Sequence, residues 1–207
     1  MFIDAKLLAI IPEITTGKYI CNINFGNYSK PWINKQLANL CAEEKIVRFE
    51  QGVYYIPKMT LLGASKLNPV KVIEKKYIRD KNGRKGYYSG ATFLNNIGLS
   101  TQVPNVLEIY TNEENSKVRE ISVGPVRVIL RKARTMIDDT NVMVQSLLEL
   151  MNYISVSFLD NERKEILAQF IKSAGITKAD ITKLASAFPD KAIRVLVESE
   201  VIYNVAQ

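Results

Sequence analysis

The chain has 207 residues, a formal net charge of +7, two cysteines and no histidine, a length that builds one large domain or two small ones. Without histidine, Ser-His-Asp and Cys-His catalysis, His-ligated zinc and the HExxH class all drop out. No run of about 18 apolar residues is present, and the start MFIDAKLLAIIPEI carries Asp4 and Glu13 around a short apolar core and lacks a cationic start followed by a small-residue cleavage site, so a cytoplasmic protein with no membrane contact is expected.

Ile3 to Ile11 reads as a helix with Leu7, Leu8, Ile10 and Ile11 on its apolar side. It must stop near Pro12, because proline pushes the residue before it out of the helical region. Lys18 to Phe25 alternates Tyr19, Cys21, Ile23 and Phe25 as a half-buried strand does, and Gly26-Asn27 signals a turn. Ser29-Lys30-Pro31 reads as a helix start. Serine can cap orphan amides, and proline suits a first-turn position whose N–H has no partner. In the helix PWINKQLANLCAEE, the residues Ile33, Leu37, Leu40 and Cys41 form one buried stripe. Asn34, Lys35, Ala38 and Asn39 are left on a small, polar face. Ile46–Phe49 and Val53–Ile56 then predict two short strands around the turn Glu50-Gln51-Gly52, and Pro57 closes the unit. A helix, a second helix with a polar face and a two-stranded hairpin make the order of a winged helix-turn-helix. Cys21 and Cys41 have neither C-x-x-C nor metal spacing, so both are expected as buried thiols.

Asn68-Pro69 opens a helix running to about Ile78, and Asp80 to Gly83 is a turn. Gly86 to Gly90 predicts a short strand entering a helix capped by Ser89, which ends at Gly98. Three strands follow, Val106–Thr111, Val118–Val123 and Val126–Arg131, the last two joined by Gly124-Pro125. Beyond them the pattern is helical. A helix capped by Thr140 or Asn141 runs through Val156. A second runs from Asn161 to Ala174 and ends at Gly175, Thr177 caps a third, and Pro189 opens a fourth. Short connections imply antiparallel helical packing. The expected fold class is α+β. Residues 1–58 form the winged helix-turn-helix domain. Residues 59–207 form a second domain, with a small mixed α/β unit of antiparallel strands over 59–135 and a helical segment over 136–207.

The charge is unevenly placed. Residues 1–60 hold seven cations against five carboxylates, 61–136 hold fourteen against six, and 137–207 hold seven against ten. A basic middle beside an acidic end suggests a surface that faces a polyanion, because Lys and Arg gain affinity by displacing counterions from phosphate. A merely solvated basic face is the alternative.

The run KQLANLCAEEKIVRFEQGVYYIPK resembles the helix, strand and kGvYy-P signature of AbiEi-type antitoxin regulators. The run GYYSGATFLNNIGLSTQVPN resembles the SG-x-x-A-x-N-x-LGL-T-Q-x-P block of the same family, on Ser89, Gly90, Asn95, Gly98, Leu99, Ser100, Thr101, Gln102 and Pro104. The likeness spans roughly 28–132, and the last 70 residues carry no such motif. Glu44 stands where many members have glycine. The resemblance implies a bacterial antitoxin that represses its own operon through an N-terminal winged helix. It also implies neutralisation of a nucleotidyltransferase-like toxin by functional pairing, without a stable complex.

The expected partner is a double-stranded operator. On the recognition helix Asn34 is suited to read adenine and Lys35 guanine or phosphate, Ser29 and Lys30 would position the backbone, and Asn39 lies on the same face. Arg48 and Gln51 are the wing candidates. Lys71, Lys75, Lys76, Arg79, Lys81, Arg84 and Lys85, interleaved with Tyr77, Tyr87 and Tyr88, make a possible second basic patch. Its competing reading is a solvated amphipathic helix with core tyrosines. The GLSTQVP block reads as a fold signature, since Ser100 and Thr101 have no nearby base and Gln102 does not ionise. Glu108, Glu113, Glu114 and Lys117 loosely suggest a metal-dependent nuclease but lack its paired spacing. Asp138-Asp139 lacks a nucleotidyltransferase's Gly-Ser, and neither a P-loop nor G-x-G-x-x-G occurs. No catalytic residue, metal or cofactor is expected. The competing functional reading is a protein-interaction module that uses the winged helix as a scaffold and binds a partner through its acidic helical end.

Overall fold

The computed structural model describes residues 19–21, 29–50, 52–57, 59–61 and 63–204. The expected helix over 3–11, the turn at Gly26-Asn27 and the wing residue Gln51 lie outside them. The chain divides into two compact units, Met1–Val72 and Ile73–Gln207, and its fold is α+β.

In the first unit β1 (Tyr19–Cys21), β2 (Val47–Glu50) and β3 (Val53–Tyr55) form an antiparallel sheet in the order β1-β3-β2. The helix α1 (Lys30–Ala42) buries Ile33, Leu37 and Leu40 together with Ile46, and Trp32, Cys41, Tyr54 and Ile56 pack around them. That is the stripe its i, i+4, i+7 spacing requires. Ser29 occupies the N-cap position, but its side chain makes no capping bond. At the other end, Lys45 N–H donates to the Leu40 carbonyl and Glu44 N–H to the Cys41 carbonyl. This closes a Schellman turn with Glu44 at φ 55. Glycine usually fills that position because it has no Cβ to clash there. A small hairpin, β4 (Met59–Thr60) and β5 (Gly63–Ala64), and the start of α2 (Pro69–Ile73) complete the unit.

In the second unit α2 runs into a π-helical turn, Glu74–Ile78, followed by the hairpin β6 (Arg79–Asp80) and β7 (Gly83–Arg84). The main sheet has the order β10-β11-β9-β8, from β8 (Gly86–Ser89), β9 (Val106–Thr111), β10 (Val118–Val123) and β11 (Val126–Lys132). The expectation of antiparallel strands needs one correction: β11 runs parallel to β9. β11 is the more apolar strand of its hairpin, with Val128 and Leu130 fully buried, so it takes the central place and leaves β10 at the edge. Gly86 permits the closest approach. A Cβ there would lie 1.9 Å from the Tyr77 carbonyl oxygen.

The helices α3 (Gly90–Asn96), α4 (Val142–Tyr153), α5 (Asn161–Ser173), α6 (Lys178–Ala185) and α7 (Asp190–Glu198) follow. Phe93, Leu94 and Leu99 of the α3 region share one core with Leu147, Leu148, Leu167, Ile171, Val195 and Leu196. The α/β segment and the helical segment are therefore built on a common centre. α4 is shorter than expected. It ends at Tyr153, Ile154 turns extended and stays buried, and Val156–Phe158 form a 3-10 turn. Its cap also differs. Neither Thr140 nor Asn141 supplies the capping side chain. Instead the Asp138 carboxylate accepts from the N–H groups of Thr140 and Asn141. Thr177 caps α6 through a full capping box with Asp180.

Candidate nucleic-acid interface

The apolar stripe of α1 fixes where its polar residues point. With Ile33, Leu37 and Leu40 buried, Asn34, Lys35 and Ala38 are exposed and Asn39 is half-buried. Among the described residues, the side chains of Ser29, Asn34, Lys35 and Asn39 make no hydrogen bond or ion pair. A helix face of two amides, one cation and one methyl is flat, uncharged except at Lys35, and free of steric bulk. It offers donors and acceptors outward, and its N-terminal turn has no side-chain cap. For Lys30 the backbone opens the helix, and its side chain lies outside the described residues.

β2 and β3 carry Arg48 opposite Tyr54 in the antiparallel ladder. The register shifts between Arg48 and Glu50, and Gly52 takes φ 76 at the turn. Arg48 is exposed, and among the described residues its side chain has no ion pair. Cys41 is half-buried, and burial pushes its thiol above the ordinary range, against a smaller opposing effect of Arg48.

The basic segment is in part consumed by the fold. Arg79 pairs with Asp139 at 3.0 Å. Lys85 bridges Asp80 at 3.0 Å and Glu113 at 3.2 Å with its side chain only 15% exposed. Burial alone would lower the Lys85 ammonium, but the two carboxylates outweigh it and hold it above its usual value. Lys75 and Lys76 are half-buried, whereas Lys71 and Lys81 are exposed; Arg84 is half-buried and its backbone N–H donates to Asp139. Lys71 belongs to the first unit and the other six to the second. Tyr77 is half-buried. Tyr87 is buried and stacks on Tyr110 at 5.5 Å, and Tyr88 donates to Glu74 at 3.5 Å. Neither is presented for stacking on a base.

The GLSTQVP block holds its own corner of the fold. Gly98 takes φ 81, Leu99 N–H donates to the Leu94 carbonyl, the Asn95 amide donates to the Ser100 carbonyl, and the Ser100 hydroxyl accepts from Gln102 N–H. The Arg163 guanidinium reaches the Leu99 carbonyl from α5. The carboxylates that loosely suggested a nuclease each have a separate cation. Glu108 faces Arg131, Glu113 faces Lys85 and Glu114 faces Arg119. Among the described residues, no three carboxylates or thiols gather as a metal site.

One polar cluster escaped the sequence reading. Glu149 accepts from Arg134 at 2.7 Å, from the Tyr110 hydroxyl at 3.0 Å and from Asn152 at 3.1 Å. The Arg134 guanidinium also lies over the rings of Tyr110 and Phe188. The available signal was a lone carboxylate inside the apolar run VMVQSLLELMNY, a position that is almost never buried without a partner. The cluster ties β9, α4 and the α6–α7 turn together, and among the described residues it leads to no metal or nucleophile.

Searched against curated proteins, the chain finds no match. Residues 6–176 match a family whose members have no assigned function. The chain belongs to that family, DUF6088.

Proposed function

We propose that the first unit is a winged helix-turn-helix that binds double-stranded DNA, and that the protein is a repressor of its own operon with an antitoxin role of the AbiEi type. One observation carries this reading. α1 presents exposed Asn34 and Lys35 and half-buried Asn39, whose side chains have no partner among the described residues, beside the β2–β3 hairpin with exposed Arg48. Asn is suited to a bidentate contact with adenine, and lysine to guanine or phosphate. The uncapped first turn behind Ser29 suits a phosphate, since helix amides and their dipole favour an anion there. Arg48 on the hairpin reaches the backbone or the minor groove. Lys81 and Arg84 of the second unit add electrostatic hold without sequence choice. The antitoxin part rests on the likeness of the SG…GLSTQVP block alone, and its toxin partner would be of the nucleotidyltransferase-like kind.

A gel shift on the DNA upstream of the gene tests the reading. The wild-type chain should bind with strong salt dependence, and Asn34→Ala with Lys35→Ala should abolish the specific complex. Binding unchanged in that double variant would remove the recognition-helix assignment.

A further inference from the structure

Away from the proposed DNA-binding face, α6 and α7 line an open groove of about 630 Å³. It is lined by the apolar side chains of Ala185, Ile193 and Val197, by Ser186, and by the charged Asp190, Arg194 and Glu198. Val197 is 50% exposed, although its neighbours Val195 and Leu196 are buried in the core. Arg194 and Glu198 stand one helical turn apart. Among the described residues neither side chain has an ion pair or hydrogen bond. Arginine N-terminal to glutamate at this spacing is the weaker orientation for a pair within one helix. Both groups and the valine between them are therefore available to a partner. The surface also lies beyond residue 176, where the family match ends.

We propose that this groove is a dimer interface that takes the α7 helix of a second copy of the chain. The charge pattern is self-complementary. Two α7 helices packed antiparallel about a two-fold near residue 196 set each Arg194 opposite the second copy's Glu198 and bring the two Val197 side chains to the centre. An isologous contact needs this reciprocity, because residue i must meet j while j meets i. The apolar centre with a charged rim is the usual anatomy of a specific contact. The interface is small, so the dimer should be concentration-dependent. The proposal does not depend on DNA binding.

Sedimentation equilibrium on the full chain, over a wide concentration range, tests it. The expected result is a monomer–dimer equilibrium. Arg194→Glu and Glu198→Arg should each raise the dissociation constant by about tenfold or more, since each places like charges together. The double swap, Arg194→Glu with Glu198→Arg, should restore dimerisation, while Val197→Asp should abolish it. All three positions are exposed, so thermal unfolding should stay near wild type and identify any variant that fails to fold. A monomer at every concentration, or a dimer unmoved by the single reversals, would overturn the proposal; so would a double swap without rescue. A chain that dimerises through this groove but binds no promoter would overturn the repressor reading and leave the dimer standing.

Discussion

The acidic side chains around the second unit's sheet and the polar face of α1 in the first unit are used in opposite ways. In the second, Glu108, Glu113, Glu114, Glu120 and Glu149 each hold a cation, and the GLSTQVP block is tied down by its own hydrogen bonds. In the first, α1 keeps its place through Ile33, Leu37 and Leu40 and turns Asn34 and Lys35 to solvent. A sequence signature made of internally bonded residues explains a fold. A polar face that the fold does not consume calls for a ligand. The contrast separates residues that build this protein from those proposed to read DNA.

The strongest way to break the contrast is through the second unit's buried pair. Glu149→Ala leaves Arg134 and the Tyr110 hydroxyl without their acceptor, and should cost about 3–5 kcal/mol in urea unfolding. A loss below about 1 kcal/mol would mean that the network does not hold the sheet to the helices. Gly86→Ala comes next. Its Cβ meets the Tyr77 and Tyr110 carbonyl oxygens, so about 3 kcal/mol of destabilisation is expected by the same measurement. A neutral result would show that the strand and the π-turn are not in close contact.

A smaller effect is read by pH. Burial pushes the Glu114 carboxyl up, but the Ser116 N–H and the Arg119 guanidinium outweigh it and hold it below the ordinary carboxylate range. A depressed native value contributes stability above the unfolded value, and that contribution disappears as pH falls through the folded one. Glu114→Gln should therefore cost about 1 kcal/mol at neutral pH and nothing in strong acid. A cost independent of pH would deny the charge its role. The smallest effect has the opposite sign. Glu44→Gly relieves the positive φ at the end of α1 and should stabilise the first unit by up to about 1 kcal/mol in thermal unfolding. A destabilised variant would contradict the Schellman geometry.

Much of this was legible in the sequence because the signals were local. Proline and Thr177 marked helix starts, although Ser29 and Ser89 stand at N-cap positions without making the expected capping bond, glycine marked the helix ends at Gly98 and Gly175, and alternation marked β9, β10 and β11. Long-range pairing was not legible. Nothing in Val106–Thr111 announces that β11 would insert between it and β10, because strand order is set by which strand buries most. The Asp138 cap was hidden because four polar residues in a row, Asp138 to Asn141, could each have served. The Arg134–Glu149 pair joins the segment after β11 to α4 across 15 positions, and only the lone carboxylate in α4 hinted at it. At the candidate site, the spacing of the apolar residues gave the exposed face of α1 directly. Glu44 drew notice as a departure from glycine, and its positive φ gives that departure a structural meaning.

The contrast between the units is tested most directly by fluorescence anisotropy on the upstream DNA, comparing two double variants at equal salt. Asn34→Ala with Lys35→Ala should lower specific affinity by about a hundredfold while leaving non-specific binding nearly intact. Lys81→Ala with Arg84→Ala should weaken specific and non-specific DNA alike and reduce the salt slope by about 2. Equal losses in the two variants, or a specific complex that survives the first, would contradict the assignment of DNA reading to α1.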